Sequence, residues 1–342
     1  MPRLTIRQHG MSISVPRQPN TENLHPPKER KANKGWTFAV ARRNSQYLQQ
    51  IDFEKVKGTP YAVTLTLPVW QMKQVTPAAL HRLIDVMLKY LRRRGMLHFH
   101  WIIEFTARRM PHIHMTIWMD NEYEEWDRHL REYVKRDNNE ARVVANVVAK
   151  WLQVTSDKGL YASARSQDVQ LIDGNEAWLA YIAKHGIRGV KHYQRALDNM
   201  PDEWRDGAGA MWGHDRELPL AEDYTHPMDM RSFHQLRREI RKWCCARANM
   251  INDPHRRAKA ISQARRLNRC GQPELSAVRP MSVWIPKNVL MVILNWMRHQ
   301  GYMIGKDAYQ WGMDEVARLH DDGRSEERRR MLEKSLMEML RT

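Results

Sequence analysis

The chain has 342 residues, 56 of them Lys or Arg and 39 Asp or Glu, for a formal net charge of +17. The length exceeds one core of common size, which points to a catalytic unit with an appended segment, and the excess charge calls for a polyanionic partner, nucleic acid first, because each neutralised phosphate releases condensed counterions. Only Cys244, Cys245 and Cys270 are present, with no CxxC pair, which excludes a cysteine-built structural zinc site and fits a reduced, intracellular setting.

Residues 1–35 combine Pro16, Pro19, Pro26 and Pro27 with Arg3, Arg7 and Arg17, a composition expected to form a flexible basic arm. It lacks the apolar run of a secretory signal, so no export is expected. From Tyr61 the pattern alternates, with Tyr61, Val63, Leu65 and Leu67 set between Ala62, Thr64 and Thr66, which predicts a strand closed by Pro68. Thr76 as N-cap and Pro77 at the first helical position open a helix with the stripe Leu80, Leu83, Ile84, Met87, Leu88 and Leu91, ended by Gly95.

Two strands are predicted next, about 97–106 and 112–119, as an antiparallel hairpin. Phe99, Trp101, Ile103 and Phe105 share one face of the first, and Ile113, Met115, Ile117 and Met119 one face of the second, so both apolar faces are expected to pack on the helix. Helical stretches are read at about 121–135 and 141–154, then a strand near 169–172 and a helix from Asn175 to His185 stopped by Gly186. This order predicts an α+β fold, an antiparallel sheet with helices packed on it. Beyond about residue 230 strand signals give out. Residues 231–269 are dense in arginine, and stripes at 287–300, 306–320 and 325–341 predict a basic helical C-terminal domain over 230–342. Its longest apolar run, Val289 to Leu294 with Trp296 and Met297, falls short of the about 20 residues that cross a bilayer, so no membrane partner is expected.

The chemistry gathers on the hairpin. Alternation puts His112, His114, Thr116 and Trp118 on the face opposite the apolar set, and Glu104 on the matching face of the preceding strand beside His98, His100 and Ile102. A register closing around residues 107–111 sets Glu104 roughly opposite His114. Two imidazoles and one carboxylate, with positions left for water and substrate, suit a catalytic divalent ion. His98 and His100 compete with Glu104 for the third ligand position, and such histidines also occur as ordinary strand residues. On the helix at 175–185, Tyr181, Lys184 and His185 fall on one side. A cation beside the phenol favours the phenolate, although the same pair on an amphipathic helix also serves packing and solvation.

In order, the sequence shows Val63, Thr64, Leu65, Thr66 and Leu67, then Glu104 ahead of His112, Ile113 and His114, then Tyr181, Ile182, Ala183 and Lys184. Here the chain resembles the HUH endonucleases, specifically the rolling-circle replication initiators of filamentous single-stranded DNA phages and related plasmids. The stretch through Pro201, Trp204, Gly209, Met211, Trp212 and Gly213 is similar to the segment that follows the tyrosine helix in such initiators.

The resemblance implies an HUH-type sheet over a domain at 36–220, with Mg²⁺ or Mn²⁺ held by Glu104, His112 and His114. Tyr181 would attack a single-stranded origin phosphate to leave a 5′-phosphotyrosine link and a free 3′-hydroxyl, Lys184 would stabilise the transferring phosphate, and the reverse reaction would rejoin strands. It also implies a bacterial cytoplasmic setting, origin DNA, a host helicase and polymerase as partners, and a possible homo-oligomer. No GxxxxGK[ST] motif supplies a helicase of its own. Some relatives carry two tyrosines on this helix, whereas this chain has one there, and Tyr193 is the candidate for a second. Arg108, Arg109, Trp118, His185 and Arg188 are candidate DNA contacts, with Trp118 a platform for base stacking if exposed. A relaxase or transposase of the same superfamily, or a non-catalytic DNA-binding regulator, are the alternatives. The arginine-rich segment is read as a duplex-origin binder or a basic cap for oligomerisation, and the helices near 287–300 and 306–320 as a pair resembling helix-turn-helix.

Overall fold

The computed structural model describes residues 2–14, 35–174, 181, 186, 189–205, 207–266, 281–302 and 304–305. In chain order these give β1 (Arg3–Arg7), β2 (Gly10–Ser14), α1 (Phe38–Gln50), β3 (Thr59–Thr66), α2 (Pro77–Arg92), β4 (Met96–Phe105), β5 (Pro111–Met119), β6 (Glu122–Asp127), β7 (Glu132–Asp137), α3 (Glu140–Ser156) and β8 (Asp168–Leu171). They continue with β9 (Trp212–His214), β10 (Tyr224–Pro227), α4 (Met230–Asn249), α5 (Pro254–Arg266), β11 (Met281–Trp284) and α6 (Lys287–His299). The chain divides into a unit of His25–Leu220 and a unit of Met1–Leu24 with Ala221–Thr342. The α+β expectation holds.

In the unit of His25–Leu220 a five-stranded antiparallel sheet runs β8-β3-β5-β4-β9. Its central strand is β5, the strand that carries His112 and His114. Period-two alternation sends Tyr61, Val63 and Leu65 of β3, Ile103 and Phe105 of β4, and Ile113, Met115 and Ile117 of β5 into one core with Leu80, Leu83, Ile84 and Met87 of α2 and Val143, Val147 and Trp151 of α3. Helix α2 begins where the sequence places it: the Thr76 side chain accepts from the Ala79 amide at 3.2 Å, with Pro77 in the first turn. Gly95 at φ +83 then turns the chain into β4, a left-handed conformation that a side chain resists. Asn139 caps α3 in the same way, accepting from the Arg142 amide at 2.9 Å.

Three expectations are corrected. Residues 121–135 are not helical but form most of the β6–β7 ribbon, a two-stranded sheet whose turn includes Arg131 at φ +53. The part of the supposed arm that is described, residues 2–14, is a β-hairpin packed in the other unit, while 15–34 lie outside the described residues. In that unit β1 and β2 are the inner strands of a sheet ordered β10-β1-β2-β11, and Leu4, Ile6, Met11 and Ile13 pack with Phe233, Leu236 and Ile240 of α4 and Leu290 and Leu294 of α6. The helices expected after residue 230 are thus joined by strands that the sequence reading did not include. Helices expected at 306–320 and 325–341 lie outside the described residues, and with them the second member of the supposed helix-turn-helix pair.

Candidate active site

On the face of the five-stranded sheet opposite the α2 and α3 core, β3, β4 and β5 bring Thr64, Thr66, Glu104, His112 and His114 together. Glu104 pairs across the ladder with His112, and Ile102 with His114. The expected partner of Glu104 was His114, and the difference comes from the turn. Thr106 and Met110 close it, the Thr106 amide donating to the Met110 carbonyl at 2.9 Å, and Arg109 at φ +64 reverses the chain one step earlier than a turn centred on residue 109 would. The correction costs nothing in proximity, because diagonal neighbours on one face stay within reach of long side chains.

One nitrogen from each histidine and one Glu104 oxygen lie within 4.8 Å of one another. The two Nε2 atoms are 2.8 Å apart, and Glu104 Oε2 is 3.7 Å from His114 Nε2. Two ligand nitrogens at about 2.1 Å from a divalent ion and at right angles stand about 3.0 Å apart, so the convergence of these lone pairs fits an octahedral cation with little movement. Two imidazoles and a carboxylate are a donor set that can hold a divalent cation. His114 is oriented from behind, its Nδ1 3.1 Å from Thr64 Oγ1, which leaves Nε2 toward the cluster.

The competing histidines are turned to other tasks. His98 Nδ1 meets Asp215 Oδ2 at 2.9 Å, and His100 Nε2 meets Asn44 Oδ1 at 2.8 Å, which leaves Glu104 as the third member of the cluster. Asp215 is also bound by Arg92 at 2.8 Å. Burial acts to raise its pKa, but the hydrogen bonds from Arg92 and His98 prevail and hold the carboxyl below its ordinary value.

Tyr181 is helical and half-buried, and it lines a cavity with Leu48, His100, Ile102, His114, Met115 and Thr116. Tyr181 and His114 therefore line one small cavity, and the Tyr181 hydroxyl is itself buried. Tyr47, the other tyrosine near His100, is unsuited to attack. Burial and the Asp215 charge push its phenol above its ordinary range, and its hydroxyl donates to the Asp215 carbonyl at 3.3 Å. Tyr193 is 54% exposed and is not among the residues of the Tyr181 cavity. Lys184, His185 and Arg188 lie outside the described residues. Arg108 is exposed in the β4–β5 turn. Arg109 is committed to the fold, donating to the Met200 carbonyl at 2.6 Å and to Asp202 at 3.2 Å. Trp118 is 2% exposed, so the indole is a packing residue and not an open platform for a base.

Sequence reasoning missed the groups that brace the cluster. Arg195 Nε donates to Glu104 Oε1 at 2.7 Å, both side chains fully buried, and its guanidinium lies 4.0 Å from the centre of the Trp36 ring. Gln194 brings its amide nitrogen to 3.4 Å from His112 Nε2, and its carbonyl accepts from the Phe105 amide at 2.9 Å. No periodicity marks residues 189–199, and only the tertiary fold lays them along β4. Thr64 could have been found, since it sits in the alternating strand already identified, facing away from the core.

Residues 60–158 match the family model of the replication-associated protein ORF2/G2P, a span that contains Glu104, His112 and His114 and ends before Tyr181. The chain is 32% identical over 268 residues to the replication-associated protein G2P of Pseudomonas phage Pf3, covering 78% of this chain and 87% of that one. It is 29% identical over 291 residues to a protein of Xylella fastidiosa strain Temecula1 that carries a replication-protein name, covering 83% and 99% of the two chains. No solved structure matches. Among the described residues no helix is long and apolar enough to cross a membrane.

Proposed function

The chain belongs to the replication-associated protein ORF2/G2P family, and from that premise we propose that it initiates rolling-circle replication by nicking single-stranded origin DNA with Tyr181. The observation that carries the proposal is the cavity shared by Tyr181 and His114, on the face where Glu104, His112 and His114 converge. The Tyr181 oxygen attacks the scissile phosphorus as the bond from phosphorus to the 3′-oxygen breaks. The phenol loses its proton, the departing 3′-oxygen gains one, and the products are a 5′-phosphotyrosine and a 3′-hydroxyl. Atoms and charge balance without ATP, and the reverse attack by a 3′-hydroxyl rejoins strands.

Glu104, His112 and His114 would hold Mg²⁺ or Mn²⁺, which when bound supplies positive charge to the oxygens of the phosphate under attack. Thr64 fixes the His114 ring, Arg195 fixes Glu104, and Lys184 is assigned to neutralise the transferring phosphate. Host helicase and polymerase are the partners this role requires, the one to open duplex DNA and the other to extend the 3′-hydroxyl.

A labelled single-stranded oligonucleotide carrying the replicon's origin sequence tests the proposal with Mn²⁺ present. The expected result is a covalent protein adduct that survives denaturation, is abolished in Tyr181→Phe, and falls at least a hundredfold in His112→Ala and His114→Ala, given that each removes a ligand. Retarded DNA with no adduct from the parent protein would favour a non-catalytic regulator, and an adduct that persists in Tyr181→Phe would move the nucleophile elsewhere.

A further inference from the structure

Among the described long helices, α5 joins an absence of acids to the highest proportion of cations. In its 13 residues, Pro254–Arg266, there is no Asp or Glu, and Arg256, Arg257, Lys259, Arg265 and Arg266 are all cationic. Among the described side chains of the helix Ala264 alone is buried, with Ile261 and Ala260 half-covered on the same side. The opposite side presents His255, Lys259 and Ser262, with Arg256 and Gln263 exposed on one flank and Arg265 on the other. Arg257 is used within the fold, where it clamps the turn from α4 by donating to the carbonyls of Ile251 at 2.8 Å and Asn252 at 3.1 Å. Arg256, Lys259 and Arg265 form no ion pair among the described residues.

Such a helix is in tension with itself. A helix of this length is marginal in water without a large buried face, and the like charges of Arg256 and Lys259, three residues apart, oppose it further. Asp253 caps its start, accepting from the Arg256 amide at 2.8 Å, but no acid inside the helix offsets the cations. An array of phosphates would supply the missing counter-charge.

We propose that the exposed face of α5 is a docking surface for duplex DNA, contacting backbone phosphates through Arg256, Lys259 and Arg265. Duplex is favoured over single strand because the helix carries no Trp, Tyr or Phe on which an unpaired base could stack. An α-helix about 10–12 Å across also matches a major groove about 12 Å wide. Of the pair read as resembling helix-turn-helix, only the first member, α6, lies among the described residues. Leu290, Met291, Ile293, Leu294 and Met297 of α6 are all buried in the core, so that helix serves the fold. The inference does not depend on the nicking chemistry.

The test uses the full chain in EDTA, so that cleavage plays no part, and follows binding to a fluorescent duplex and to a single-stranded oligonucleotide by anisotropy across a salt series. In Arg256→Gln/Lys259→Gln/Arg265→Gln the slope of log K against log salt on duplex should become shallower by about 2 to 3, one step of about 0.9 for each lost phosphate contact. Single-strand affinity should stay within about twofold, because other residues carry it. The single variant Lys259→Gln should lose about one unit of slope. The charge-keeping variant Arg256→Lys/Arg265→Lys should keep the parental slope. An unchanged duplex slope in the triple variant overturns the proposal. So does an equal loss on both DNA forms, or a loss confined to binding of phosphatidylglycerol vesicles, which would mark the face as a lipid contact. Thermal melts that coincide with the parent exclude misfolding as the cause.

Discussion

Two neighbouring histidines on a strand announce themselves, but what makes them a site is the buried group behind the third ligand. Arg195 and Glu104 are a 2.7 Å ion pair sealed from water, with the guanidinium spread on Trp36 and the Trp36 indole nitrogen donating to the Ile103 carbonyl at 2.7 Å. One carboxylate oxygen is thereby taken, and the other is left toward His114. Removing one partner of such a pair leaves an uncompensated buried charge, at a cost of about 3–5 kcal/mol. Arg195→Gln should therefore lower stability in urea melts by roughly that amount, and should also weaken Mn²⁺ binding in calorimetric titration by about 10- to 100-fold, the usual effect of losing a residue that orients a ligand. Loss of stability with unchanged Mn²⁺ affinity would reduce Arg195 to a packing role. The HxH spacing was legible because alternation fixes which side chains share a face; Arg195 was not, because it reaches Glu104 across 91 residues of chain from a segment with no repeat of its own.

Among the elements, α2 shows how much a strong local pattern carries. Its cap, its proline and its stripe all pointed to one span, and the helix lies there. The β6–β7 ribbon shows the reverse. Tyr123, Trp126, Leu130 and Tyr133 recur at spacings of three, four and three, which imitates a helical stripe, and the acidic residues suit a helix as well. No Gly or Pro marks the turn at 128–131, since Arg131 takes the left-handed conformation itself. The Glu104 register failed for a related reason, the turn geometry at Arg109. Helix α2 also carries a titratable group inward. His81 lies against Trp101, ring centres 5.9 Å apart, and beside Gly209, and burial holds its imidazole below its ordinary pKa. A depressed folded value means that the unfolded chain takes up this proton first. The stabilising contribution is then complete above the ordinary histidine value of about 6.5 and is lost as pH falls through the folded value. Melting temperature should decline from pH 7.5 to pH 5.5, and His81→Gln should flatten that decline even if it lowers the melting temperature throughout. An identical slope in the variant would assign the pH response to other groups.

At the scale of the whole molecule, the two ends of the chain belong to one unit, a feature that composition concealed. The prolines at 16–27 dominate the first thirty-five residues and suggest an arm, yet Leu4 and Ile6, then Met11 and Ile13, alternate with polar residues on either side of the Gln8–His9 turn. Alternation within five-residue strands is easily averaged away beside a proline-rich stretch. Once formed, the hairpin occupies the middle of its sheet, hydrogen-bonded to β10 on one side and β11 on the other. Its four apolar side chains are at most 1% exposed. Burying each contributes about 1.5–3 kcal/mol, or about 6–12 kcal/mol together. That is comparable with the whole stability of a typical domain, about 5–15 kcal/mol. Deleting residues 2–14 should thus unfold the unit completed by 221–305 while sparing the unit of 36–220, whose core uses none of these residues. Limited trypsin digestion reads the outcome directly, because α4 and α5 are rich in arginine. In the deleted protein 221–305 should be cut to small peptides under conditions that leave a stable fragment of about 36–220. Equal resistance of both parts, with an unchanged melt, would return the N-terminal segment to the status of a dispensable arm.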